Sequence, residues 1–170
     1  RKENVKKTKA TSKSSSSELD ALVGLSSVKE EIKTLSNFIK IQQKRKEQGL
    51  KSSSVSYHCV FTGNPGTGKT TVARIVAQIY KDLGILSKGH LVETDRAGLV
   101  AGYVGQTASN VKKVVESAIG GILFIDEAYS LTYSDSAADF GQEAVDTIVK
   151  LMEDNRDNLI VIVAGYEQEM

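Results

Sequence analysis

The chain has 170 residues, enough for one domain with a substantial core, and a formal net charge of +1. The charge is uneven: residues 1 to 13 carry six Lys or Arg against the single Glu3, leaving the remainder at −4 and arguing against a general basic face for nucleic acid. One cysteine, Cys59, and two separated histidines, His58 and His90, argue against a zinc site, and no apolar run approaches the roughly 20 residues of a membrane span.

Residues 1–17 are rich in Lys, Ser and Thr with almost no apolar content, and are expected to form a disordered basic linker, plausibly the cut end of a longer protein. A tail of this kind could touch nucleic acid or a membrane, but a solvated linker is the plainer reading. It lacks the apolar segment of a secretory signal, so the expected setting is reducing and cytoplasmic. Residues 18–170 alternate helical and strand patterns, the signature of an α/β layer architecture with a mainly parallel sheet.

Leu19 to Leu25 forms a short apolar turn, and Ser27 with Glu30 fits a capping box. Val28, Ile32, Leu35 and Ile39, joined by Phe38 and Ile41, predict a helical stripe that Gly49 ends. After a serine loop, Ser52 to Ser54, a strand is expected at Tyr57 to Thr62, with Cys59 as a small buried apolar group. A helix through Val72, Ile75, Val76 and Ile79 follows and stops near Gly84; Leu91 to Glu93 is a second short strand. The glycine-rich stretch Gly98 to Gly105 precedes a helix with Val111, Val114, Val115 and Ala118. Ile122 to Ile125 reads as a strand covered on both faces, Ala144 to Met152 as a further helix, and Leu159 to Ala164 as another covered strand.

Between the first strand and its helix lies Gly63-Asn64-Pro65-Gly66-Thr67-Gly68-Lys69-Thr70, which fits G-x-x-x-x-G-K-[ST]. A triphosphate is a compact polyanion that backbone N–H groups must approach closely. Glycines without Cβ atoms allow that approach, and Pro65 restricts one φ. The following helix aims its N–H groups and positive dipole end at the same place. Lys69 supplies a full charge, the Thr70 hydroxyl is the expected magnesium ligand, and Thr71 beside them is expected among the nucleotide-binding residues.

A second constellation is the apolar run Ile122 to Ile125 ending in Asp126-Glu127. Two carboxylates after a buried strand belong at its C-terminal end, where open α/β sheets bind ligands. Asp126 is then placed to hold magnesium, directly or through water, and Glu127 to deprotonate attacking water. No Asn-Lys-x-Asp guanine-reading motif is present, and a small-molecule kinase has less need of Glu127. ATP hydrolysis is the favoured reaction.

These residues, with Ala128-Tyr129-Ser130-Leu131, Asp139 to Ala144 and Val163-Ala164-Gly165-Tyr166, resemble the AAA+ ATPases, and among them the CbxX/CfqX group, most closely its sporulation branch. The resemblance covers about Leu19 to Met170 and implies a P-loop three-layer α/β/α subdomain with strand order 5-1-4-3-2. It implies that Val23-Gly24 lies beside adenine, although a hydrophobic staple explains Val23 equally well. It implies that Tyr103-Val104 belongs to a pore loop gripping a threaded protein, although Tyr103 could merely pack. Tyr166 stands where many AAA+ proteins carry a polar γ-phosphate sensor. The fifth strand, the arginine-finger helix and the helical lid are expected beyond Met170; Arg156 sits in a polar turn and is not expected to replace the finger.

The expectation is therefore an incomplete AAA+ subdomain binding ATP and magnesium, which in a ring, usually a hexamer, remodels a protein substrate. The other reading is a nucleotide-gated interaction module with negligible hydrolysis.

Overall fold

A computed structural model of the protein describes residues 14–52, 54–103, 105–133 and 140–170. Residues 1–13 of the expected linker, Val104 of the expected pore loop and Asp139 lie outside the described residues. Four strands, β1 (Cys59–Thr62), β2 (Leu91–Thr94), β3 (Ile122–Ile125) and β4 (Ile160–Gly165), form one parallel sheet in the order β1-β4-β3-β2. This is the expected order without its fifth strand, so β1 is an edge among the described residues.

The helices are α1 (Ser15–Ala21), α2 (Ser26–Glu47), α3 (Lys69–Asp82), α4 (Arg96–Leu99), α5 (Gln106–Ala118) and α6 (Gly141–Asp154). Alternation along the covered strands builds two cores. Ile122, Phe124, Ile160 and Ile162 meet Val72, Val76 and Tyr80 of α3 and Ile39 of α2. On the opposite face, Leu123, Ile125 and Val161 meet Val111 and Val115 of α5 and Ala144 and Ile148 of α6. A parallel sheet needs helices on both faces, and its central strands are apolar throughout for that reason.

Several local expectations are corrected. Residues 15 to 17, assigned to the linker, form the first turn of α1: the Ser15 hydroxyl donates to Asp82 Oδ2 at 2.7 Å, and Leu19 packs on Ile75 and Ile79. Burial of one leucine is worth roughly 1.5–3 kcal/mol and contributes to docking a short helix that would not persist alone. The capping box at Ser27 and Glu30 is not formed. The chain enters α2 through left-handed Gly24 (φ +73°) and Leu25 (φ +57°), so Ser26 already opens the helix. Lys29 Nζ instead secures this entry by donating to the carbonyls of Asp20 and Leu22. Phe38 and Ile41 leave the α2 stripe and are largely exposed.

The first strand starts at Cys59 rather than Tyr57, because the Val161 N–H donates to His58 Nδ1 at 2.9 Å. A side chain thus takes the donor that would have extended the ladder. Within the stretch Gly98 to Gly105, Gly98 belongs to α4, a single turn capped by Asp95, which accepts from the Gly98 N–H at 3.0 Å.

Candidate nucleotide site

Parallel strands share a C-terminal edge, and the register makes that edge specific. Thr62 of β1 pairs with Gly165 of β4, and Ile125 of β3 pairs with Val163 of β4. The phosphate-type loop after β1, Tyr166 after β4 and Asp126-Glu127 after β3 therefore emerge side by side.

The loop is anchored to β4 by the Gly63 N–H, which donates to Gly165 O at 3.1 Å. Gly66 (φ +73°) and Gly68 (φ +86°) adopt left-handed conformations that bring the loop into the N-terminus of α3. A Cβ at either would meet no protein atom within 4 Å, so space is open beside both. Thr67 Oγ1 donates to Asn64 O at 2.8 Å and braces the turn at Pro65, while Lys69 Nζ donates to Gly63 O at 2.8 Å and to Asn64 O at 3.1 Å. Thr71, exposed in the first turn of α3, completes the loop residues singled out from sequence. An open loop at a helix N-terminus with a lysine folded over it suits a polyphosphate.

At the end of β3, the Asp126 N–H continues the ladder to Thr94 O at 2.9 Å. The Glu127 N–H donates to Asp126 Oδ1 at 2.9 Å, and Glu127 itself takes φ +48° before a short 3-10 helix, Ala128–Leu131. That left-handed turn is uncommon for a residue with a Cβ. Tyr166 closes the arrangement. Its hydroxyl donates to Glu127 Oε1 at 3.0 Å, and its ring centroid is 5.8 Å from Lys69 Nζ. The bond to Glu127 holds the Tyr166 phenol above its ordinary pKa. Gly165 permits this packing: a Cβ there would lie 2.8 Å from Tyr129 Cδ1, whose ring centroid lies 5.7 Å from that of Tyr166, the two planes tilted by 40°.

Residues 59–170, which carry all of these groups, match the ATPase family associated with various cellular activities (AAA). The chain belongs to the AAA family. It is 50% identical over 153 residues to stage V sporulation protein K of Bacillus subtilis (strain 168), covering 90% of this chain and 47% of that protein. It is 46% identical over 149 residues to the chloroplastic ribulose bisphosphate carboxylase/oxygenase activase of Cyanidioschyzon merolae (strain NIES-3377 / 10D), covering 88% of this chain and 51% of that one. The chain thus spans about half the length of these relatives. The crystal structure of the FIGL-1 AAA domain in complex with ADP shares the fold at a TM-score of 0.57 and 20% identity, over 86% of this chain and 48% of that one.

AAA ATPase domains bind nucleotide, usually with magnesium, and the donor set here fits that pair. Thr70 and Asp126 offer hard oxygens, as magnesium prefers. No group of three or more His, Cys, Asp or Glu gathers as a metal site among the described residues.

Other predicted positions divide. Val23 is 97% exposed and makes no staple, whereas the adjacent Leu25 packs with Val28 against the core; neither Val23 nor Gly24 lines the cleft of about 570 Å³ bounded by Thr67, Lys69, Val72 and Tyr80, although Leu25 does. Tyr103 is 73% exposed and does not pack into the domain. Arg156 pairs with Glu153 at 2.9 Å on the surface. Cys59 is half-buried, and burial pushes its thiol pKa up, away from nucleophile chemistry. No helix among the described residues is long and apolar enough to cross a membrane.

Sequence reasoning missed Glu93. Its residue pairs with Phe124 across β2 and β3, so the two side chains share the sheet face that carries α3. Thr70 Oγ1 donates to Glu93 Oε1 at 3.2 Å. The available signal was a lone acidic residue in the short apolar strand Leu91–Thr94.

Proposed function

We propose that this AAA chain binds ATP with magnesium and hydrolyses it, and that in a ring, hexameric as the family resemblance implies, the cycle remodels a protein substrate. The observation carrying the reading is Tyr166, in contact with Glu127 and beside Lys69, which makes one site of the phosphate loop and the carboxylates. Glu127 is the general base for water, with Tyr166 fixing one of its oxygens. Lys69 leaves its loop carbonyls for the β- and γ-phosphates, and the loop N–H groups and the α3 N-terminus hold the remaining phosphate charge. Thr70 and Asp126 would hold magnesium, which supplies neutralisation of charge developing on the phosphates. Tyr103, exposed beyond α4, is the pore-loop residue that grips the substrate protein. The names of the sporulation and carboxylase-activase relatives point to different substrates, so the reading specifies a protein substrate only by class.

The test is nucleotide binding and turnover by the full-length protein. ATP with magnesium should bind in preference to GTP, and Glu127→Gln should retain ATP while losing hydrolysis. Equal or stronger GTP binding, or unchanged turnover in Glu127→Gln, would remove the assignment. Sedimentation of Glu127→Gln with ATP should show a ring, and a monomer at all concentrations would refute that part.

A further inference from the structure

Thr70 has a hydrogen-bonding commitment outside the phosphate loop. A hydroxyl carries one proton and two lone pairs; to give a lone pair to a cation, it must direct its proton elsewhere. Here the proton points to Glu93 Oε1, 3.2 Å away on β2 and 23 residues along the chain. Arg74 Nη2 approaches the other carboxylate oxygen, Oε2, at 3.9 Å. Thr70 and Arg74 are four residues apart on α3 and so share a helix face, which is the face turned towards Glu93.

This contact has little value as a surface staple. The Arg74 and Glu93 side chains are 62% and 44% exposed, and exposed ion pairs of this kind contribute little to stability. Its chemical consequence is larger. An anionic acceptor on the hydroxyl proton orients the opposite lone pairs towards the open side of the site and strengthens them as donors. Partners of this type behind a metal ligand are worth about 10–100-fold in metal affinity.

We propose that Glu93 is a positioning residue for the metal-binding hydroxyl of Thr70, oriented in turn by Arg74, and that it tunes the affinity of the site for a divalent cation. The inference rests on the reading of Thr70 as a magnesium ligand. Glu93 acts through Thr70 and touches neither nucleotide nor metal.

The experiment uses the full-length protein with ADP, so that no turnover intervenes, and Mn²⁺ as the probe, with free metal measured by electron paramagnetic resonance. Glu93→Ala should raise the Mn²⁺ dissociation constant about tenfold or more. Glu93→Gln, which keeps an acceptor and loses the charge, should fall between it and the unsubstituted protein. ADP affinity in excess chelator should stay within about twofold, and the Glu93→Ala effect should vanish in a Thr70→Ala background, as it must for a residue acting through the hydroxyl. If Thr70→Ala weakens Mn²⁺ binding while Glu93→Ala and Glu93→Gln leave it within twofold, the inference about Glu93 is wrong and the site reading stands. If Thr70→Ala itself leaves Mn²⁺ binding unchanged, the reading of Thr70 fails and this inference falls with it.

Discussion

The Tyr166 hydroxyl donates to Glu127 Oε1 at 3.0 Å across 39 residues of sequence, joining the ends of two neighbouring strands. Tyr166→Phe keeps the ring beside Lys69 and Tyr129 and deletes only this bond. With Glu127 as base, ATP turnover should fall about tenfold, a fraction of the 10²–10⁴ that general base catalysis supplies, while ATP affinity stays within about twofold. Steady-state turnover beside equilibrium binding separates the two effects. An unchanged turnover number would show that Glu127 needs no such restraint.

Gly68→Ala tests the loop. Its φ of +86° strains any residue with a Cβ, but the added methyl meets no protein atom within 4 Å. The cost in folding stability should be only about 1–2 kcal/mol, read from urea unfolding. Nucleotide affinity should fall at least about tenfold, equivalent to ~1.4 kcal/mol, because the methyl occupies the open side of the loop. Loss of stability without loss of affinity would place the phosphates elsewhere.

Tyr80 gives a pH prediction. It is 1% exposed, and its hydroxyl makes no hydrogen bond of ordinary geometry among the described residues, its polar neighbour being the Cys59 thiol, a weak partner. Burial, the main cause, raises its phenol pKa well above the ordinary value. The folded chain therefore holds this proton where the unfolded chain has released it. The associated stability is complete below about pH 10 and is lost as pH rises further. Tyr80→Phe should change stability at neutral pH by no more than about 1 kcal/mol, since the hydroxyl gives up only a weak contact with Cys59, and should flatten the alkaline loss of stability. Thermal melts at pH 7 and across the alkaline range measure both; a steeper alkaline loss in Tyr80→Phe would contradict the argument.

Gly141 opens α6 where backbone crowds it. A Cβ there would lie 2.1 Å from Leu131 O, a backbone atom that cannot rotate away. Gly141→Ala should cost about 1–3 kcal/mol by overpacking, seen as a lower urea midpoint. An unchanged midpoint would mean that α6 can shift against the 3-10 helix without loss.

Legibility followed the range of the interactions. Val72, Val76 and Ile79 marked α3 because helical periodicity is local, and the apolar run Ile122 to Ile125 marked a covered strand for the same reason. The start of β1 was misread because His58, a side chain, takes the Val161 N–H, and no pattern within β1 records that. The α2 entry was misread because Lys29, reaching back to Asp20 and Leu22, holds it instead of a serine cap.

Local sequence was enough to specify the chemistry carried at each strand end: a glycine loop with Lys69 and Thr70 after β1, and two carboxylates after β3. These follow from short-range requirements, such as backbone freedom at Gly66 and Gly68 and the high cost of burying Asp126 or Glu127 in a covered strand. Which of these ends meet depends on how the whole sheet is assembled. Inserting β4 between β1 and β3 sets Tyr166 against Glu127 and beside Lys69, and placing β2 next to β3 brings Glu93 under Thr70. Strand order is a global outcome of burying both faces of the sheet, and no local spacing along the chain encodes it.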